Sequence, residues 1–121
     1  MNEYKARAEA VRHAEVYRDS FALAVCPSAN LESPTIVGAQ AANELLNINS
    51  VKASIVFTYF NNEVYLSARS IDEVNVQLIM EKLGGGGHMT IAGAQLKDVT
   101  VDEAIELVKK TLDGMIEEGE I

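Results

Sequence analysis

"VKASIVFTYFNNEVYLSARS", residues 51–70, decides the fold. Its two arms, 51–60 and 63–70, are rich in β-branched and aromatic residues, which fit a pleated, half-buried surface. Between them stands Asn61-Asn62, a pair that tolerates the positive φ a tight hairpin turn demands. The stretch therefore predicts two antiparallel strands. Period-2 alternation puts Val64, Leu66 and Ala68 on one face of the second strand, and Tyr65, Ser67 and Arg69 on the other.

Working outward, the downstream side predicts a helix over about 72–83, with Ser70 and Glu73 spaced as a capping box. Its apolar stripe is Val76, Ile79, Met80 and Leu83, and Gly84 stands where a C-cap glycine belongs. "GGGGHM" (84–89) follows, then a short strand over 91–97. Thr100 and Glu103 cap a last amphipathic helix carrying Val101, Ile105, Val108, Leu112 and Ile116. Upstream, Ser33-Pro34 opens a helix to about Asn47, lined by Val37, Ala41, Leu45 and Ile48. "FALAVC" (21–26) reads as a buried strand stopped by Pro27. Residues 3–18 read as a polar helix with a thin face of Tyr4, Ala8 and Val11, its Glu3/Arg7 and Glu9/His13 pairs spaced for i,i+4 contact. The order implies an α/β fold: a mixed β-sheet with helices packed against it, in a single domain.

The chain has 121 residues, 48% hydrophobic and 23% charged, with a formal charge of −8. No apolar run reaches membrane-span length and no signal-peptide layout is present, so a cytoplasmic domain without direct membrane contact is expected. The single cysteine, Cys26, excludes an internal disulfide and reads as a small buried hydrophobe. Charge is uneven: residues 98–121 hold eight acids against two lysines, while residues 1–19 balance four against four. The acidity is that of a solvated terminal helix. A small anion site in the middle stays open, whereas a long nucleic-acid track is disfavoured.

Catalytic candidates are few. The two histidines, His13 and His88, have no metal-ligand spacing around them, and no nucleophile–base grouping is suggested. The glycine run follows a helix, and lacks the Lys-Ser/Thr of a phosphate-binding loop and the strand–helix setting of a dinucleotide fingerprint. What remains is a binding constellation. Glycines at 85–87 let a ligand approach the main chain, and successive free N–H groups can cradle phosphate. His88 closes the loop, Arg69 offers a planar fork, Ser67 shares its strand face, and Ser70 and Asn75 follow. On residues alone, the loop reads either as a plain turn or as the wall of an anion site.

"EKLGGGGHMTIAGAQL" with the upstream "LSARS" resembles the DHH-associated C-terminal domain of the DHH phosphoesterase superfamily. "AQAANELLNINSVKASIVF" and "SIDEVNVQLIMEKLGGGGH" look like the membrane-anchored cyclic-di-AMP phosphodiesterases of Gram-positive bacteria. The resemblance covers about residues 20–112. It implies a hydrolase in which a preceding DHH domain, absent here, holds manganese, while this domain grips the nucleotide phosphate. Residues 1–19 would then be the connecting helix and 20–121 the substrate-binding domain, without a cofactor and not catalytic alone. Arg69, Gly85, Gly86, Gly87 and His88 would hold phosphate and sugar, with Ser67, Ser70 and Asn75 shaping the wall. The ligand would be cyclic or linear diadenylate. The alternatives are a grip on single-stranded nucleic acid or a tRNA end, and a dimerisation module in which the glycines only turn the chain. The parent would be anchored in the membrane. Two departures stand out: Ile91 where the family has alanine, and Asn43 where it often has aspartate.

Overall fold

Among residues 2–71 and 73–121, which the computed structural model describes, the chain forms four helices and six strands. The hairpin is β3 (Ala53–Phe60) and β4 (Glu63–Ser70), paired antiparallel throughout. Asn61 and Asn62 turn it with φ of 53° and 62°, as the pair requires. On β4, Val64, Leu66 and Ala68 are buried while Tyr65, Ser67 and Arg69 are half-buried, the alternation expected.

β2 (Phe21–Val25) lies parallel to β3, and β6 (Ile91–Lys97) antiparallel to β4, on the hairpin's two sides. The edges are β1 (Glu15–Tyr17) beside β2 and β5 (Gly86–Gly87) beside β6, giving the order β1-β2-β3-β4-β6-β5. The sheet is therefore mixed, and helices cover both faces. On one face α1 (Glu3–Arg12) packs on α2 (Pro34–Leu45), burying Val37, Ala41 and Leu45 over Ala22, Ala24 and Val56. On the other, α3 (Val76–Lys82) and α4 (Val101–Glu117) close a larger core around Ile55, Phe57, Leu66, Ile79 and Leu112. Each such fully buried aliphatic or aromatic side chain contributes about 1.5–3 kcal/mol, so this second core carries most of the stability.

Four expectations change. Residues 3–18 are not one helix: α1 stops at Arg12, and residues 15–17 form strand β1, which is joined to β2 by a turn in which Arg18 and Asp19 both have positive φ. The buried face of α1 is Ala6 and Ala10, while Tyr4 lies exposed, because only small side chains let α1 lie close on α2. Glu9 and His13 do meet, at 3.1 Å, but Arg7 reaches across to Glu44 instead of Glu3. Finally, α3 is capped by Asn75, whose Oδ1 accepts from the N–H groups of Gln77 and Leu78. Ser70 does not cap it; a helix start at 72 lies outside the described residues. At α4 the expected box is present, with Thr100 and Glu103 exchanging bonds of 3.0 and 2.8 Å.

One contact between α2 and the sheet has opposite consequences for its two partners. A Cβ on Gly38 would sit 2.6 Å from Thr58 Oγ1, a buried hydroxyl without a hydrogen-bond partner among the described residues. Gly38→Ala gains about 1 kcal/mol of helix propensity but meets an overpacking cost of roughly 1–3 kcal/mol. We expect net destabilisation of about 1 kcal/mol. Thr58→Val keeps the shape and removes the unpaired hydroxyl, so it should stabilise by about 1 kcal/mol. Urea midpoints moving in opposite directions would check the pair; a less stable Thr58→Val would mean that the hydroxyl has a partner.

Candidate binding face

The half of the sheet that α2 leaves bare defines the site. α2 lies over β3 and part of β4, so on that side the half-buried β4 residues Tyr65, Ser67 and Arg69 border a more open surface on β6 and β5. Directly paired residues of antiparallel strands share a face, which converts the register into a map. Arg69 pairs with Ile91, Ser67 with Gly93 and Tyr65 with Gln95. Gly86 pairs in turn with Gly93, and His88 donates its N–H to the Ile91 carbonyl at 2.7 Å. Thus Ser67, Arg69, Gly86 and His88, far apart in sequence, come to adjoining rows of one surface. Ile91 stands 52% exposed between Arg69 and His88, so the departure from alanine falls at this site. Asn43 lies elsewhere, in a groove with Arg7 and Gln40 between α1 and α2.

The four glycines do separate jobs. Gly84, with φ of 85°, is the left-handed residue ending α3. Its N–H donates to Glu81, and that of Gly85 to Met80 at 2.8 Å, the two bonds of a Schellman cap. Gly85 also lies against β6, where a Cβ would overlap the Gly93 carbonyl oxygen. Gly86 has open space above it, while Gly87 presses on Ala92 with φ of 141°. The expectation of successive free N–H groups across the run is therefore corrected: those of Gly84, Gly85 and His88 are spent within the chain. What the glycines supply is a flat edge strand that a ligand can approach closely.

Arg69 supplies the charge. Arg7, Arg12 and Arg18 have carboxylate partners at 3.4, 3.7 and 3.0 Å. Among the described residues Arg69 has none; its guanidinium donates only to its neighbour's carbonyl, Ala68, at 2.9 Å. Burial pushes its pKa down from the ordinary arginine value, because the cation is partly stripped of water. Ser70 and Asn75 are placed differently. The Ser70 hydroxyl is buried on the core side and donates to the Val74 carbonyl at 2.6 Å, and the Asn75 Oδ1 is engaged in the helix cap. Both serve to bend the chain from β4 into α3.

Beside the Arg69 row the same face deepens into a cleft of about 490 Å³, bounded by Thr35 of α2, by Tyr65, Ser67 and Gln95, and by Gly84 and Gly85. Of these, Thr35, Tyr65 and Gln95 were not singled out from sequence, although Tyr65 was placed on this face and alternation along β6 puts Gln95 on the face of Gly93.

Comparison with known proteins finds relatives across the whole domain. The DHHA1 domain profile matches residues 23–118. The cyclic-di-AMP phosphodiesterase GdpP of Bacillus subtilis is 40% identical over 121 residues, covering 98% of this chain and 18% of that protein. The cyclic-di-AMP phosphodiesterase PdeA of Listeria monocytogenes is 42% identical over 109 residues, covering 89% and 16%. The chain thus spans less than a fifth of the length of these relatives. In fold, it matches the crystal structure of an exopolyphosphatase-related protein from Bacteroides fragilis with a TM-score of 0.80 at 19% identity, over 93% of this chain and 34% of that one.

Proposed function

The chain belongs to the DHHA1 domain family, and from that premise we propose that it is the substrate-holding part of a DHH-type phosphodiesterase acting on cyclic-di-AMP. Cyclic or linear diadenylate lies on the open face, with a phosphate between Arg69 and His88 and the sugar against the glycine edge at Gly86. The observation that carries this reading is Arg69: a half-buried cation without an acidic partner among the described residues. A phosphate oxygen pair matches its fork and supplies the missing counter-charge. The printed substrate of the two similar phosphodiesterases supports the choice of nucleotide.

Bond cleavage is assigned to a separate DHH domain of the same parent chain, reached through residues 1–19, where manganese would activate water. Among the described residues there is no group of three or more His, Cys, Asp or Glu able to hold a metal ion. None of their helices is long and apolar enough to cross a membrane; the anchor we infer for the parent lies outside this domain.

Titrating the isotope-labelled chain with linear diadenylate tests the reading by NMR. Amides of residues 67, 69, 86–88 and 93 should shift together. Shifts confined to other surfaces, or none, would overturn it. With manganese added, the chain alone should release no product from cyclic-di-AMP; turnover would place catalysis here and end the division of labour.

A further inference from the structure

We infer that the cleft beside the phosphate row is a seat for a neutral, planar nucleobase. This rests on the substrate reading above and goes beyond it, assigning the base chiefly to Tyr65 and Gln95, which that reading does not use.

The cleft walls are polar and carry a single charged side chain. The side chains of Thr35, Ser67 and Gln95 face about 490 Å³ of open space and make no hydrogen bond to other described residues. The one cation on the wall, Lys97, is 3.8 Å from Glu63 and so partly neutralised. A second phosphate would meet no unpaired positive charge here, whereas a base needs none.

Tyr65 is prepared for stacking. Its hydroxyl donates to Glu63 at 3.2 Å and its ring leans on Phe60, with centroids 6.2 Å apart, so the ring is held before a ligand arrives. Opposite it on β6, Gln95 carries an amide that both donates and accepts, the pairing that reads an adenine edge. The floor between them and the phosphate row is Gly93, where even a Cβ would come within 2.9 Å of the Leu66 carbonyl. Spacing agrees: Tyr65 is two pleats from Arg69, about 13 Å along the strand, and Ser67 lies between them. A phosphate at Arg69 can therefore send its own nucleoside across Ser67 and Gly93 into the cleft.

Calorimetry on the chain separates base from phosphate with two probes, linear diadenylate and the base-free ribose 5-phosphate. Tyr65→Ala and Gln95→Ala should each weaken diadenylate about tenfold and leave ribose 5-phosphate unchanged. Gln95 is exposed, so its variant keeps the test valid should Tyr65→Ala fold poorly. Equal weakening of both probes would make the cleft a phosphate subsite and overturn the seat. Unchanged diadenylate binding in Gln95→Ala and Tyr65→Ala would remove the seat alone. Failure of the unsubstituted chain to bind diadenylate would remove the substrate reading, and the seat with it.

Discussion

Gly85→Ala should cost about 3 kcal/mol, the upper part of the range for overpacking, because the obstacle is main chain. The new Cβ would overlap the Gly93 carbonyl oxygen and come within 2.7 Å of the Ala94 backbone. Neither can swing aside as a side chain tip would. Moving Gly85 instead would break its 2.8 Å bond to Met80, which closes α3. The strain therefore falls on β5, and the Arg69–His88 row should open with it. Gly86→Ala, one residue on, meets nothing within 4 Å and should be nearly neutral. Urea denaturation of both variants, with hydrogen exchange of the β5 and β6 amides, checks the contrast. Equal midpoints would show that β5 does not pack on β6 as closely as these positions require.

That contrast also explains what could be read in advance. The hairpin was legible because its strands alternate and its turn is made of two residues that accept positive φ. The last helix was legible because its cap is local, with both partners three residues apart. β1 was not. "EVY" is three residues long, continues a charged stretch with helical spacing, and owes its strand state to pairing with Phe21–Leu23. Its turn uses Arg18 and Asp19 at positive φ, with no glycine to announce it. Tertiary pairing overrode local preference there.

The site divides in the same way. Alternation alone put Ser67 and Arg69 together, and carried one residue further it would have turned Ser70 to the core, where it lies. Bringing Gly86 and His88 to the same rows depends on the register of β4, β6 and β5, which no local pattern encodes. The cleft needs yet another long-range fact, the crossing of α2 above Ser67, with Gly38 permitting the close approach to Thr58. Residue types pointed to phosphate chemistry. Only the sheet showed which of them share a surface.

Arg69→Ala separates binding from folding more sharply than any other substitution. A charge-assisted bond to phosphate is worth about 1.5–3 kcal/mol, so affinity for linear diadenylate should fall roughly 10- to 150-fold. Stability should not fall with it. The guanidinium is half-buried, has no acidic partner among the described residues, and its charged form is disfavoured by burial. Removing such a group relieves an unfavourable desolvation and forfeits one bond to the Ala68 carbonyl, two small terms of opposite sign. The urea midpoint should therefore stay level or rise slightly. Arg69→Lys keeps the charge and loses the fork, so it should recover only part of the affinity. Calorimetry beside denaturation decides the matter. Unchanged affinity in Arg69→Ala would take the phosphate off this row. A loss of stability above about 2 kcal/mol would make Arg69 a structural residue, because a cation so poorly compensated cannot hold up the fold and also wait for a ligand.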